Sequence, residues 1–315
     1  MRKIVVKDHE VLNVSELLEC LANDVKYFLI DEGADLEKVM ISDVPLIKLL
    51  AGKGITVETY NLIQKDIDGI TITRNNKLVP FFYAQNSAPV FKNEVIEKHF
   101  GLFVNTSRWH RMFLASHLFE YHKDKSLITF RQSITNDKQP CRLYLDDLFE
   151  NTYNLNSNKF LAQINNFISH LPLELTQEPN DNTWGNINSK DTFVLNEFYK
   201  KIFVDVVCET WHDGICFYPT EKTSRPMLCH TPFLVYGGKN YLKNLRKIGF
   251  KTFSQWWDES YDDYDGIQRI LKIVSIVNIL ANKPMEELSK MYDEMKDTLE
   301  YNYNFYRSCS KVEIK

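Results

Sequence analysis

Residues 202–238 contain the stretch that decides the fold, IFVDVVCETWHDGICFYPTEKTSRPMLCHTPFLVYGG. The apolar run at 202–210 predicts a buried strand, and a helix is expected to begin near Thr220. The run that ends in Gly237 and Gly238 predicts a second strand. Strand, loop, helix and strand in this order indicate a parallel unit whose ligand site lies at the carboxyl ends of the strands.

The rest of the chain also alternates between predicted strands and predicted helices. Strands are predicted at 3–7, 26–31, 55–63, 78–84 and 126–132, and helices begin at Ser15, Asp43 and Ser107. Alternation of this kind predicts an α/β fold with mostly parallel sheets. The polar segment 174–191 is rich in Asn and is the expected boundary between two domains with a cleft between them. We expect an N-terminal domain at 1–180 on the acceptor side, a C-terminal domain at 190–283 and a helix at 284–315 that packs across both.

Composition limits the class of protein. Hydrophobic residues make up 44% of the 315 positions, charged residues make up 25%, and the net charge is -4. This is globular composition without a bilayer-length apolar run. Six cysteines without a CxxC pair indicate reduced thiols, so a cytoplasmic protein without a membrane span is expected.

The start of the helix near Thr220 suits an anion. The first N–H groups of a helix lack partners within it, and Lys222 adds a full positive charge. Such a position can hold a phosphate or diphosphate, and Glu221 can accept hydrogen bonds from ribose hydroxyls. The alternative is ordinary helix chemistry, with Thr220 as N-cap, Glu221 as a first-turn acid and Lys222 in solvent.

The segment from 203 to 265 carries a resemblance to a known family. It has ET after a strand, TEK at the start of a helix, PF at the start of the next strand, and then GFKTF and DESYD. This pattern resembles the donor-binding half of a group of GT-B glycosyltransferases from phages and bacteria, which are distantly similar to fucosyltransferases. The donor-binding positions that match are Thr210, Thr220, Glu221 and Lys222.

The resemblance implies two Rossmann-like domains, the GT-B arrangement, and a nucleotide sugar bound without a metal ion or other cofactor. It also implies that Lys222 neutralises the diphosphate and that Glu221 contacts the ribose or the sugar. A phage-encoded enzyme of this kind would work in the host cytoplasm.

A basic and aromatic cluster opens the helix predicted at 107–122. Arg108, His110 and Arg111 flank Trp109, and an upstream helix of the resembling proteins is basic in the same way. Arg108 and Arg111 would grip the donor diphosphate or an anionic acceptor, because the planar guanidinium fork matches phosphate. The alternative is a solvated helix face with only Trp109 and Phe113 buried.

Two residues are candidates for the catalytic base of an inverting reaction. Glu209 ends a predicted strand at the carboxyl edge, although it could instead only order the donor loop. His110 is equally open as the base. Cysteines and histidines between 208 and 230 lack the paired short spacing of structural zinc sites, so no metal site is expected. The acidic run at 256–265 is expected to form helix caps.

These features predict a glycosyltransferase that moves a sugar from a nucleotide sugar to an acceptor hydroxyl. The acceptor would be a surface glycan or a 5-hydroxymethylated base of phage DNA flipped from the stack. The net charge of -4 weighs against tight DNA binding. The other hypothesis is a non-catalytic protein that binds nucleotides or nucleic acid on a decayed transferase fold.

Overall fold

The structure is a computed structural model of the chain. It describes residues 3–6, 14–23, 27–30, 33–41, 44–77, 81, 91, 96–104, 107–130, 141–155, 157–175, 195 and 197–309.

The N-terminal part forms one parallel sheet. Its elements are β1 (Lys3–Val6), α1 (Val14–Ala22), β2 (Tyr27–Ile30), β3 (Met40–Ile41), β4 (Val44–Pro45), α2 (Leu46–Leu50), β5 (Ile55–Thr59) and β6 (Ile70–Arg74). The sheet order is β1-β2-β5-β6, and β3 and β4 form a separate antiparallel pair. Alternate residues of β5 are buried, so one face of this strand packs on an apolar core formed by the N-terminal part of the chain.

The remainder forms a second parallel sheet with helices around it. Its elements are β7 (Lys98–Val104), α3 (Trp109–His122), β8 (Ser126–Phe130), α4 (Cys141–Asn151), α5 (Asn158–Ile168), β9 (Ile202–Cys208), α6 (Glu221–Leu228), β10 (Phe233–Tyr236), α7 (Tyr241–Ile248), α8 (Gly266–Ala281) and α9 (Met285–Ser308). The order is β10-β9-β7-β8. Every residue of β9 and β10 is buried, because helices cover both faces of a parallel sheet. The predicted α/β class with parallel sheets is confirmed.

The second sheet joins strands from both sides of the polar segment 174–191. Strand β7 pairs in parallel with β9, and Phe100 lies opposite Val204. Residues on either side of the segment therefore share one sheet, although the predicted ranges 1–180 and 190–283 place them in different domains. Strand pairing depends on contacts between distant segments, and loop composition carries no information about them. The segment lies outside the described residues beyond 175, as does the strand predicted at 78–84 apart from residue 81.

Helix α9 packs against α6 and β9. The side chain of Asn302 bonds both the N–H and the carbonyl of Lys251, at 2.8 and 2.9 Å. The hydroxyl of Tyr306 donates to the carbonyl oxygen of Phe81 at 2.8 Å. These bonds hold the C-terminal helix along the second sheet.

Candidate functional site

The carboxyl end of β9 is the centre of the site. Glu209 and Thr210 follow the last residue of this strand, and the chain then runs through a loop to Thr220, the N-cap of α6. The N–H of Glu209 donates to the carbonyl of Tyr236 at 2.9 Å, so β10 extends the ladder by one residue. The strand end and the helix start are thereby brought side by side.

The buried carboxylate of Glu209 ties the helix start to the strand. Its Oε1 accepts hydrogen bonds from the N–H of Thr220 at 3.0 Å, the hydroxyl of Thr223 at 2.6 Å and the hydroxyl of Tyr241 at 2.9 Å. Its Oε2 accepts from the hydroxyl of Thr220 at 2.7 Å. A carboxylate that is 0% exposed and holds four donors fixes the start of α6 against the end of β9.

The N–H groups at the start of α6 are largely paired within the protein. The hydroxyl oxygen of Thr220 accepts the N–H of Lys222 at 3.3 Å, and the N–H of Thr223 donates to the carbonyl of Thr220 at 3.1 Å. The N–H of Ser224 donates to the same carbonyl at 3.2 Å. The expectation of several unpaired amides at this helix start is therefore wrong, because the Glu209 carboxylate, the Thr220 hydroxyl and the Thr220 carbonyl accept from them. Positive charge at this site comes from side chains.

Two cations meet at the hydroxyl of Thr210. Lys222 Nζ donates to Thr210 Oγ1 at 3.2 Å, and Arg111 Nη2 donates to the same oxygen at 3.3 Å. Lys222 also lies 3.3 Å from Thr220 Oγ1. The structure thus brings the basic helix α3 and the TEK segment of α6 to one point at the end of β9.

Neither cation is a solvated surface group. Arg111 is 1% exposed, and the first eight residues of α3 are all buried. The alternative of a solvated helix face is wrong for this part of α3, because the second sheet, α4 and α5 enclose the helix. The side chain of Lys222 is 11% exposed, so the alternative of a lysine in bulk solvent is wrong as well.

Glu221 and Lys222 form an ion pair at 2.9 Å between Oε1 and Nζ. Burial opposes ionisation of the Glu221 carboxyl, but the charges of Lys222 and Arg225 outweigh it and lower its pKa to about 2. Burial also lowers the pKa of Arg111. A guanidinium without full solvation gains from an anion placed beside it.

His110 lies behind the strand end, with its ring stacked on Tyr236 at a centroid distance of 4.8 Å. Its Nε2 lies 3.1 Å from the carbonyl oxygen of Glu209. The ring of His212 lies 3.8 Å away, centroid to centroid. Burial, followed by the charges of His212 and Arg111, holds the pKa of His110 well below its usual range. Full burial separates this ring from solvent.

Arg108 lies just outside this group. It precedes α3 and is half-buried, and no described hydrogen bond or ion pair joins it to Thr210 or Lys222. The backbone N–H of its neighbour Trp109 donates to Asp147 Oδ2 on α4 at 3.2 Å. The positive charge of Arg108 is one of the causes that act to lower the pKa of Asp147 and of Arg111.

The first sheet reaches the site through the loop that follows β9. Asp35 Oδ2 accepts the N–H of Ile215 at 2.9 Å. Asn61 donates to the carbonyl of Ile215 at 2.8 Å and accepts the N–H of Phe217 at 3.0 Å. A Cβ at Gly33 would lie 1.9 Å from that of Tyr218, so only glycine fits there. These contacts place the carboxyl ends of β2 and β5 against the loop.

The acidic run at 256–265 forms caps, as predicted. Asp258 accepts the N–H of Ser260 at 2.8 Å, and Glu259 accepts the N–H of Phe253 at 2.6 Å. Asp262 caps α7 and forms a buried ion pair with Arg269 at 3.0 Å. The hydrogen bonds of Asp258, Glu259 and Asp262 to these backbone groups stabilise the fold.

Residues outside the predicted site complete it. Thr223 and Tyr241 bond Glu209, and His212 lies against His110. Thr223 stands three residues after an N-cap, which is a recognisable position. Tyr241 lies 32 residues from Glu209 in sequence, and no local pattern connects them.

A separate cavity of about 550 Å³ lies beside α9 and is lined by residues that include His230, Tyr292 and Glu300. None of the predicted site residues lines it.

No protein-family model matches the chain, and no curated protein matches it. Within the part of the chain that the structure describes, no helix has the length and apolar character needed to cross a membrane.

Proposed function

We propose that this protein is a glycosyltransferase of the GT-B arrangement that transfers a sugar from a nucleotide sugar to an acceptor hydroxyl. One observation carries the proposal: the hydroxyl oxygen of Thr210 accepts hydrogen bonds from both Lys222 and Arg111. Two largely buried cations at the carboxyl end of a parallel strand occupy the position where α/β folds bind ligands. The resemblance of the TEK segment to donor-binding domains supports a nucleoside diphosphate that carries a sugar as the ligand.

Each residue then has a role in charge or position. Lys222 and Arg111 would stabilise the negative charge that develops on the departing diphosphate. Glu221 would contact the ribose, and its ion pair holds the Lys222 amine in place. Thr210 and Thr220 would orient the two cations. Glu209 would be a positioning residue, because its carboxylate is fully used by Thr and Tyr donors.

The acceptor is proposed to be a hydroxyl of a surface glycan or of a modified DNA base. Arg111 is 1% exposed and cannot contact a DNA backbone from outside. Half-buried Arg108 is the member of the basic cluster that can. If DNA is the acceptor, Arg108→Ala should weaken low-salt DNA binding and reduce its salt dependence. Absence of DNA binding at low salt would leave a surface glycan as the proposed acceptor.

The non-catalytic alternative shares the nucleotide site but predicts no turnover. Release of a free nucleoside diphosphate from a nucleotide sugar, with glycan or water as acceptor, separates the two functions.

The test is a thermal-shift screen of GDP, UDP, CDP and dTDP sugars. We expect one nucleotide class to raise the melting temperature of the wild type. Lys222→Met keeps the aliphatic stem and should lose most of that shift, since a hydrogen bond to a charged group contributes about 1.5–3 kcal/mol. Lys243→Met changes an exposed lysine on α7 and is the matched control. No shift with any nucleotide would refute the proposal.

A further inference from the structure

One hydrogen bond of His212 fixes which of its nitrogens carries the proton. Its Nδ1 lies 3.1 Å from the carbonyl oxygen of Thr210. A carbonyl oxygen only accepts, so Nδ1 must be the protonated nitrogen. A neutral imidazole carries one N–H, which leaves Nε2 with a free lone pair.

The surroundings keep this ring neutral. Burial is the largest cause that lowers its pKa to about 4, and the charges of Arg111 and Arg108 act in the same direction. The charge of Asp213 and the bond to Thr210 oppose them. His110 packs against its face, also with a lowered pKa. At neutral pH the Nε2 atom is therefore a hydrogen-bond acceptor.

A second acceptor faces this nitrogen. Asp213 Oδ2 lies 3.5 Å from His212 Nε2, and with Nε2 unprotonated there is no proton between the two atoms. Nε2 is buried and has no hydrogen-bond partner among the described residues, while the His212 side chain is 6% exposed. The buried lone pair on Nε2 lacks a donor, so it can accept the O–H or N–H of a bound group. The side chain of Asp213 is 70% exposed, so this pair of residues lies where the site borders solvent.

We propose that His212 is the catalytic base of the transfer and that it takes the proton of the acceptor hydroxyl. The inference rests on the proposed glycosyltransferase function. In the step, the acceptor oxygen forms a bond to the anomeric carbon as its proton moves to Nε2. The bond from that carbon to the diphosphate oxygen breaks, and the diphosphate leaves with the electron pair. Asp213 then stabilises the imidazolium, and a single displacement inverts the configuration of the sugar.

Thr210 connects the base to the leaving-group side. Its carbonyl oxygen orients His212, and its hydroxyl meets Lys222 and Arg111. The base and the cations are therefore positioned by opposite ends of one residue. His110 would be a positioning residue, because it packs on the His212 ring and bonds the carbonyl of Glu209.

The test uses His212→Asn, whose amide N–H can still reach the Thr210 carbonyl. We measure release of nucleoside diphosphate from the best donor of the screen with water as acceptor, and binding of the same diphosphate by calorimetry. A general base contributes about 10²–10⁴-fold, so the rate should fall at least 100-fold while the Kd changes less than about threefold. His117→Asn, at a half-buried histidine bonded to Asn278, is the control and should keep the wild-type rate.

Asp213→Asn gives an independent measurement at an exposed position. Removal of the carboxylate should lower the rate about tenfold and move the acid limb of the pH–rate profile to lower pH, because the imidazolium loses its partner. A merely structural role of His212 would leave that limb in place.

Three results separate the outcomes. If the wild type binds and cleaves the donor but His212→Asn keeps its rate within threefold, the assignment of the base is overturned and the proposed function stands. If both variants lose rate and keep affinity, the assignment is supported. If the wild type binds no nucleoside diphosphate, the proposed function fails and the base assignment fails with it.

Discussion

Replacement of Glu209 by Gln tests whether this carboxylate holds the site together. Oε1 accepts three hydrogen bonds and Oε2 accepts one, and all four are buried. A Gln carbonyl can keep the three bonds on the Oε1 side without the negative charge. Hydrogen bonds to charged groups contribute about 1.5–3 kcal/mol against about 0.5–1.5 for neutral ones, so roughly 1 kcal/mol is lost for each.

The fourth bond reverses its direction. The Gln amide would donate to Thr220 Oγ1, so the hydroxyl proton of Thr220 would lose its buried acceptor. Relief of the cost of burying a charge offsets part of the total, and we expect Glu209→Gln to lower the free energy of unfolding by about 3 kcal/mol.

Urea unfolding with linear extrapolation measures this change. Glu286→Gln is the control at an 85% exposed carboxylate, and its effect should stay below about 0.5 kcal/mol. A loss below about 1 kcal/mol for Glu209→Gln would refute the view that its four bonds stabilise the strand end and helix start.

Three further predictions concern stability and reactivity. The pKa of Glu221 is about 2 against an ordinary 4.5, so its stabilising contribution of roughly 3 kcal/mol is present above pH 4.5 and declines as the pH falls toward 2. Urea unfolding of wild type and Glu221→Gln should differ most at pH 7 and converge below pH 4.5; a constant gap would contradict this. Arg269→Met leaves Asp262 buried without its cation and should lower the free energy of unfolding by about 3–5 kcal/mol, whereas a loss under 1 would show that the pair is dispensable. Burial raises the pKa of Cys208 to about 12 and raises that of Cys216, so neither thiol should react with Ellman's reagent at pH 8 before the protein unfolds, as thiol counting by mass spectrometry will show.

Local patterns in the sequence predicted the central unit well. Strand β9, the N-cap Thr220, helix α6 and strand β10 lie within one continuous segment, and each has a signal of its own. The family resemblance also selected Thr210, and the helix-start pattern selected Glu221 and Lys222, which the structure brings together with Arg111.

The same local patterns do not predict contacts between distant segments of the chain. The pairing of β7 with β9 joins segments about a hundred residues apart, and Tyr241 reaches Glu209 from helix α7. The burial of Arg111 depends on α4 and α5 covering α3, which no periodicity within α3 reports. His212 stood in the sequence as one more histidine near cysteines, because only the structure shows which of its nitrogens is bonded.

The most direct test of the central claim compares calorimetric affinities for a nucleoside diphosphate and the matching monophosphate in wild type and Lys222→Met. The account places the Lys222 amine on the diphosphate beside Arg111, so the preference for the diphosphate over the monophosphate should be at least about tenfold larger in the wild type than in the variant. Equal preference for the diphosphate in both proteins would contradict it.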